Sequence, residues 1–174
     1  PIDLENYNSL NEEEKLKLIN PIDSKIIALG IRYKNKTEIF ISADEKKILE
    51  VAQAVDDKMP IDIVRTYLGA HAVPKNVSRE EYVQEVISSL PNMRPYAEFC
   101  DVFCEKGVFT LDETRAILSA AKKEGFKLKL HAEQNHALHS SELAAELGLV
   151  SADHLGHISE DGIAAHWRYK DTEY

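Results

Sequence analysis

Apolar and polar positions recur along this chain at two periods, and the switches between them mark out its elements. Residues 127–130 read Lys-Leu-Lys-Leu, apolar at every second position, which predicts a strand running from Phe126 into His131. Leu143, Ala144 and Leu147 then fall at helical spacing within residues 141–148, and Gly148 supplies a stop signal. Residues 151–155 read as a second strand, with His154 at its end. A helical crossover brings the second strand back pointing the same way. The pattern therefore predicts a parallel pair whose histidines leave the sheet at one end.

The same alternation runs upstream. Residues 37–41 and 61–68 predict strands, and residues 44–57 an amphipathic helix through Ile48, Leu49, Val51, Ala52 and Val55. The second of these strands enters the loop Gly69-Ala70-His71-Ala72-Val73-Pro74, so a third histidine sits just beyond a strand end. Ser78 with Glu81 and Thr110 with Glu113 are capping-box pairs, each opening a helix. Pro91 and Pro95 are expected to end the first of these helices, and residues 99–104 form a strand between the two. A short helix over residues 10–19 and a last one over about 159–167 complete the reading.

Five strands alternating with helices, without a hairpin signal, predict a mostly parallel α/β architecture. No Gly-rich phosphate fingerprint follows a strand, which counts against a dinucleotide fold. Two topologies compete: an open doubly wound sheet, and a partial (β/α)8 TIM-type barrel, a fragment with about five βα units. Residues 1–174 are read as one incomplete domain, with 1–25 as a peripheral helix and lead-in and 26–174 as the βα units.

Composition narrows the function. A net charge of −9, with 21 Lys and Arg scattered among 30 acids, argues against a nucleic-acid surface. No apolar run is long enough to cross a bilayer and no signal-peptide pattern opens the chain, so a cytoplasmic protein without a membrane partner is expected. Cys100 and Cys104, four apart on one strand face and so about 13 Å from each other, are expected to be buried free thiols. The chain begins with Pro1 rather than methionine, and the reading expects a piece of a longer protein.

Chemistry collects at the strand ends. His131 with Glu133 and Gln134, and His154 with Asp153, are candidates for a metal-assisted hydrolase, in which imidazoles hold or flank a divalent ion. His136 and His139, three apart, could share a helix face and chelate a metal, although such a pair is more often a solvated face, and His157 and His166 read as surface residues.

Four blocks turn this general chemistry into a resemblance: Thr66-Tyr-Leu-Gly-Ala-His71-Ala-Val-Pro74, Asp101-Val-Phe-Cys-Glu105, Lys129-Leu-His131-Ala-Glu-Gln134, and Glu142-Leu-Ala-Ala-Glu-Leu-Gly148 through Ser151-Ala-Asp-His154-Leu155. In this order they resemble the imidazolonepropionase family of the amidohydrolase superfamily. The resemblance implies a metal-dependent barrel, binding zinc or iron, that opens the ring of 4-imidazolone-5-propanoate with water to give N-formimino-glutamate in histidine degradation. It implies His131 as a metal ligand and His154 as the residue that polarises the ring carbonyl or shuttles a proton. His71 is then a substrate-binding residue, and Gln134 stands where the family carries Glu or Gln beside the substrate. A glutamine there can orient by hydrogen bonds but cannot take a proton. The implied partner is the small-molecule substrate, and the full-length protein is expected to be a homodimer.

The departures are equally specific. The family's His-x-His pair on the first strand, its eighth-strand aspartate and its substrate-binding arginine have no counterpart here. After Ile39 the family's Lys-Ser-Gly-Tyr-Gly is missing, and His139-Ser140 replaces a Gly-Gly. The isolated chain is therefore expected to be inactive. Two alternatives stand beside this reading: a degenerate, non-catalytic remnant or assembly module, and another amidohydrolase such as a deaminase. An incomplete barrel would leave open strand edges, so self-association is expected.

Overall fold

The computed structural model describes residues 27–33, 36–42, 45–57 and 62–170. The expected helix over residues 10–19 lies outside them. Among the described residues there are six strands and five helices, in two compact units divided between Ile63 and Val64.

The first unit holds β1 (Ile27–Tyr33), β2 (Lys36–Ser42) and α1 (Glu45–Asp56). β1 and β2 pair antiparallel from Ile27 opposite Ser42 to Tyr33 opposite Lys36. The sequence reading missed β1 and this pairing, and took β2 for the first of the parallel strands. No Asn-Gly or similar dipeptide marks the connection, and register is carried by seven consecutive backbone pairs instead. β2 continues unbroken from Ile39 through Ser42, where the family has its extra residues. Helix α1 buries Ile48, Leu49 and Ala52.

The second unit is a parallel sheet in the order β3 (Thr66–Ala70), β4 (Phe99–Cys104), β5 (Lys127–Ala132) and β6 (Ser151–His154). Each connection carries a helix: α2 (Arg79–Met93), α3 (Leu111–Lys123) and α4 (Ser140–Leu147), with α5 (Glu160–Lys170) after the last strand. The expected parallel pairing of the His131 and His154 strands is present, with His131 opposite Asp153 and Ala132 opposite His154. β3 begins five residues later than the reading placed it, since residues 62–65 are irregular.

Both capping boxes form. Ser78 Oγ accepts from the Glu81 N–H and Thr110 Oγ1 from the Glu113 N–H, while each glutamate reaches back to its cap. Pro91 does not end α2 but lies inside its last turn, on the exposed side. The helix stops three residues later, with the Arg94 N–H bonded to Leu90.

The pleat divides the sheet into two faces. Cys100, Val102 and Cys104 of β4 and Leu128, Leu130 and Ala132 of β5 are buried, packing with Val86, Leu90, Ile117, Leu118, Ala121, Leu143 and Ala144 of the helices. Both cysteines are free, and burial pushes the Cys104 thiol up. The opposite face carries Asp101, Phe103, Lys129, His131, Ser151 and Asp153, in register across the strands.

β3 reaches this arrangement through a bulge. Tyr67 pairs with Cys100 but Ala70 with Val102, so three steps on β3 match two on β4. Tyr67 and Ala70 are thereby both buried on the helix side, and the next residue, His71, falls on the face of Phe103 and His131. Gly69 is the residue of the bulge: a Cβ there would lie 2.1 Å from Tyr67 Oη, which is tied to Ser89 Oγ at 2.7 Å, and its carbonyl accepts from Tyr82 Oη at 2.8 Å. We expect Gly69→Ala to destabilise the protein by roughly 1–3 kcal/mol, the range for overpacking a filled site. Urea melts of the two proteins check this, and unchanged stability would mean that the bulge does not need glycine.

Candidate active site

The three histidines that the sequence places at strand ends come together. The His71 ring lies 4.9 Å from the His131 ring, centroid to centroid and edge-on, and the His154 ring lies 5.1 Å from His131 on a tilt. Phe103 faces His71 at 6.3 Å and His131 at 6.0 Å. His71 is brought in by the bulge and His131 by strand alternation. His154 arrives by neither. It stands opposite Ala132, whose side chain is on the helix side, and its backbone turns into the left-handed region at φ 75°, with Leu155 following at φ 56°. Two consecutive non-glycine residues in that region are strained. They are held by Leu155 N–H to Ala132 O at 3.1 Å and His157 N–H to Glu133 O at 3.0 Å.

Beneath the histidines lies a carboxylate that sequence reasoning did not single out. Asp101, 2% exposed, sits 3.0 Å from Nδ1 of His131 with each of its oxygens. This hydrogen bond raises the His131 pKa from its ordinary value, burial opposing it. His71 moves the other way: burial lowers its pKa against the attraction of Asp101, which favours the neutral imidazole. Both its ring nitrogens are enclosed, and the backbone of Leu68 is the neighbour that favours its charged form alongside Asp101.

His71, Asp101 and His131 each present one ligand atom, all within 4.8 Å of one another. Imidazole and carboxylate donors suit zinc or iron. His131 keeps one ring nitrogen beyond Asp101, and His71 presents an enclosed ring nitrogen beside it, so the residues present fit a single divalent ion at this mouth.

The loop after β5 is built around a second carboxylate that the sequence did not reveal as important. Glu105, just past β4 and 5% exposed, accepts from the N–H of Asn135 at 2.8 Å and of Lys106 at 2.8 Å, and meets His136 Nδ1 at 2.7 Å. Burial pushes its carboxyl up, but these bonds outweigh it and hold it below its usual value. Glu133, fully buried at φ 50°, accepts from Ser141 Oγ at 3.0 Å. Gln134 between them is exposed on the loop and is not drawn into the histidine cluster. Asp101 and Glu105 share a weak sequence signal: an acid inside an apolar strand, and another where it ends.

His136 and His139 do not share a helix face, because the backbone turns between them. His136 meets Glu105, and His139 meets Glu142 Oε1 at 2.9 Å. His157 is exposed as expected, but His166 is half-buried with an enclosed Nε2. His139 caps α4 at φ 60°, in the left-handed region that favours glycine. The family's glycine at this point thus has a physical reason.

This parallel sheet, flanked by helices and carrying its polar cluster at the carboxyl ends of the strands, is part of a TIM-type barrel. More narrowly, the chain contains an imidazolonepropionase-like region. It is 49% identical over 126 residues to "Imidazolonepropionase" of Fusobacterium nucleatum, covering 70% of this chain and 30% of that protein. To the protein of the same name from Clostridium tetani it is 48% identical over 126 residues, with the same coverage. To one from Streptococcus gordonii it is 45% identical over 124 residues, covering 68% of this chain and 40% of the relative. The chain spans well under half the length of these relatives. No protein-family model matches it.

Two expectations follow from the α4 cap. His139→Gly relieves the left-handed strain and raises Tm by roughly 2–4 °C, whereas His139→Ala keeps the strain, loses the Glu142 contact and lowers Tm. Equal shifts of the same sign in calorimetry would refute the strain argument. Glu142, also bonded by Ser141 and by Ser159 at 2.9 Å each, is held at about 2, these bonds and His139 outweighing its burial. A depressed carboxyl stabilises the fold above its ordinary value and loses that contribution as pH falls towards about 2. Glu142→Gln should therefore flatten the acid limb of the Tm–pH curve between pH 4.5 and about 2, and an unchanged limb would count against it.

Proposed function

We propose that these residues are the middle of an imidazolonepropionase-like hydrolase that opens the ring of 4-imidazolone-5-propanoate with water to give N-formimino-glutamate. The observation that carries the reading is the convergence of His71, His131 and His154, from three different strands, at one mouth. The open edges of β3 and β6 leave room for the further strands of a complete barrel. The activity belongs to that complete barrel, and this chain by itself is inactive.

His131 would hold one divalent ion, zinc or iron, which when bound supplies a polarised carbonyl and a more acidic water. His71, neutral and largely buried, offers a ring nitrogen to the imidazolone. Gln134 donates and accepts hydrogen bonds at the ring but moves no proton. His154, exposed at the mouth, takes the proton of the attacking water and returns it to the ring nitrogen that leaves. Water adds its oxygen to the carbonyl carbon, the ring C–N bond breaks, and the new carboxylate stays with the propanoate half. A cytoplasmic, homodimeric full-length enzyme without a nucleic-acid or membrane partner completes the reading.

The test is a chimera in which this chain's matching residues replace the homologous 126-residue stretch of the Fusobacterium nucleatum protein. We expect substrate consumption. His154→Ala in the chimera should keep bound metal and lose turnover by about 10²–10⁴-fold, and His131→Ala should lose the metal. A chimera that melts cooperatively and holds metal but leaves the substrate intact would instead identify this stretch as a degenerate remnant.

A further inference from the structure

Asp101 of β4 has no role in the reaction assigned above, yet both its oxygens contact the ring of His131. We propose that Asp101 is a positioning residue, which accepts the Nδ1–H of His131 and so fixes Nε2 as the ring nitrogen offered to a divalent ion. The proposal rests on His131 as a metal-binding residue and says which of its atoms binds.

Three observations support it. Both Asp101 oxygens lie 3.0 Å from Nδ1, within hydrogen-bond range. Asp101 is opposite Lys129, two positions before His131 on β5, so it stands below the histidine rather than beside it at the mouth. Finally, the His131 ring is confined by His71, Phe103 and His154 at 4.9–6.0 Å, so fixing one nitrogen fixes where the other points. A carboxylate on the far nitrogen of a metal-binding histidine sets its tautomer and raises its basicity, and its loss costs 10–100-fold in metal affinity.

The tautomer can be read without a variant. In the ¹⁵N-labelled, metal-free chain, a long-range ¹H–¹⁵N spectrum, with His131 assigned through the peaks missing in His131→Gln, should show the Nδ1-protonated form. Zn²⁺ should then perturb Nε2. In competition with a chromophoric chelator, Asp101→Ala should bind Zn²⁺ roughly 10–100-fold more weakly. Asp101→Asn, whose amide oxygen can still accept from Nδ1, should recover part of the loss. An Nε2-protonated His131, Zn²⁺ bound at Nδ1, or wild-type affinity in Asp101→Ala would each overturn the proposal. If His131→Gln binds Zn²⁺ as tightly as wild type, the metal role of His131 fails, and that failure is visible separately from the tautomer.

Discussion

A strand can aim at one face only every second residue, and the whole site depends on how four parallel strands obey or break that rule. β4 and β5 obey it, so Asp101, Phe103, Lys129 and His131 share a face without special devices. β3 breaks it through the Gly69 bulge, and β6 breaks it through left-handed backbone at His154 and Leu155. Both irregularities sit at the strand ends beside the histidines, which is where a sheet that must converge three imidazoles has to depart from its own period.

The two carboxylates of β4 complement these devices. Asp101 anchors the ring of His131, and Glu105 anchors the loop that follows it through the Asn135 N–H and the His136 ring, while also accepting from the N–H of its own neighbour Lys106. Buried acids of this kind would be costly without partners, and each here spends its oxygens on the neighbouring strand or its loop. The helix side has its own ties: Arg115 pairs with Glu146 across α3 and α4 through two hydrogen bonds, and Glu142 joins the cap of α4 to Ser159 ahead of α5.

Much of this was legible in the residues. The capping boxes at Ser78 and Thr110, the stop at Gly148 and the parallel return from His131 to His154 all rest on local signals, and all are present. The hairpin of β1 with β2 was not legible, since its pairing is set by long backbone register rather than by a turn dipeptide. Pro91 misled because a proline in the last turn of a helix does little harm when it faces water. Asp101 and Glu105 escaped because an acid inside an apolar strand gains its meaning only from the neighbouring strand, which the linear sequence does not show. The resemblance supplied roles for His71, Gln134, His131 and His154, but the means by which His71 and His154 reach His131 came from the backbone alone.

The hold of Glu105 on the loop after β5 has a mechanical side. With the Asn135 amide and the His136 ring tied to a carboxylate rooted at the end of β4, that stretch is fastened at two points to a strand other than the one it leaves, so the sheet itself sets where the loop stands.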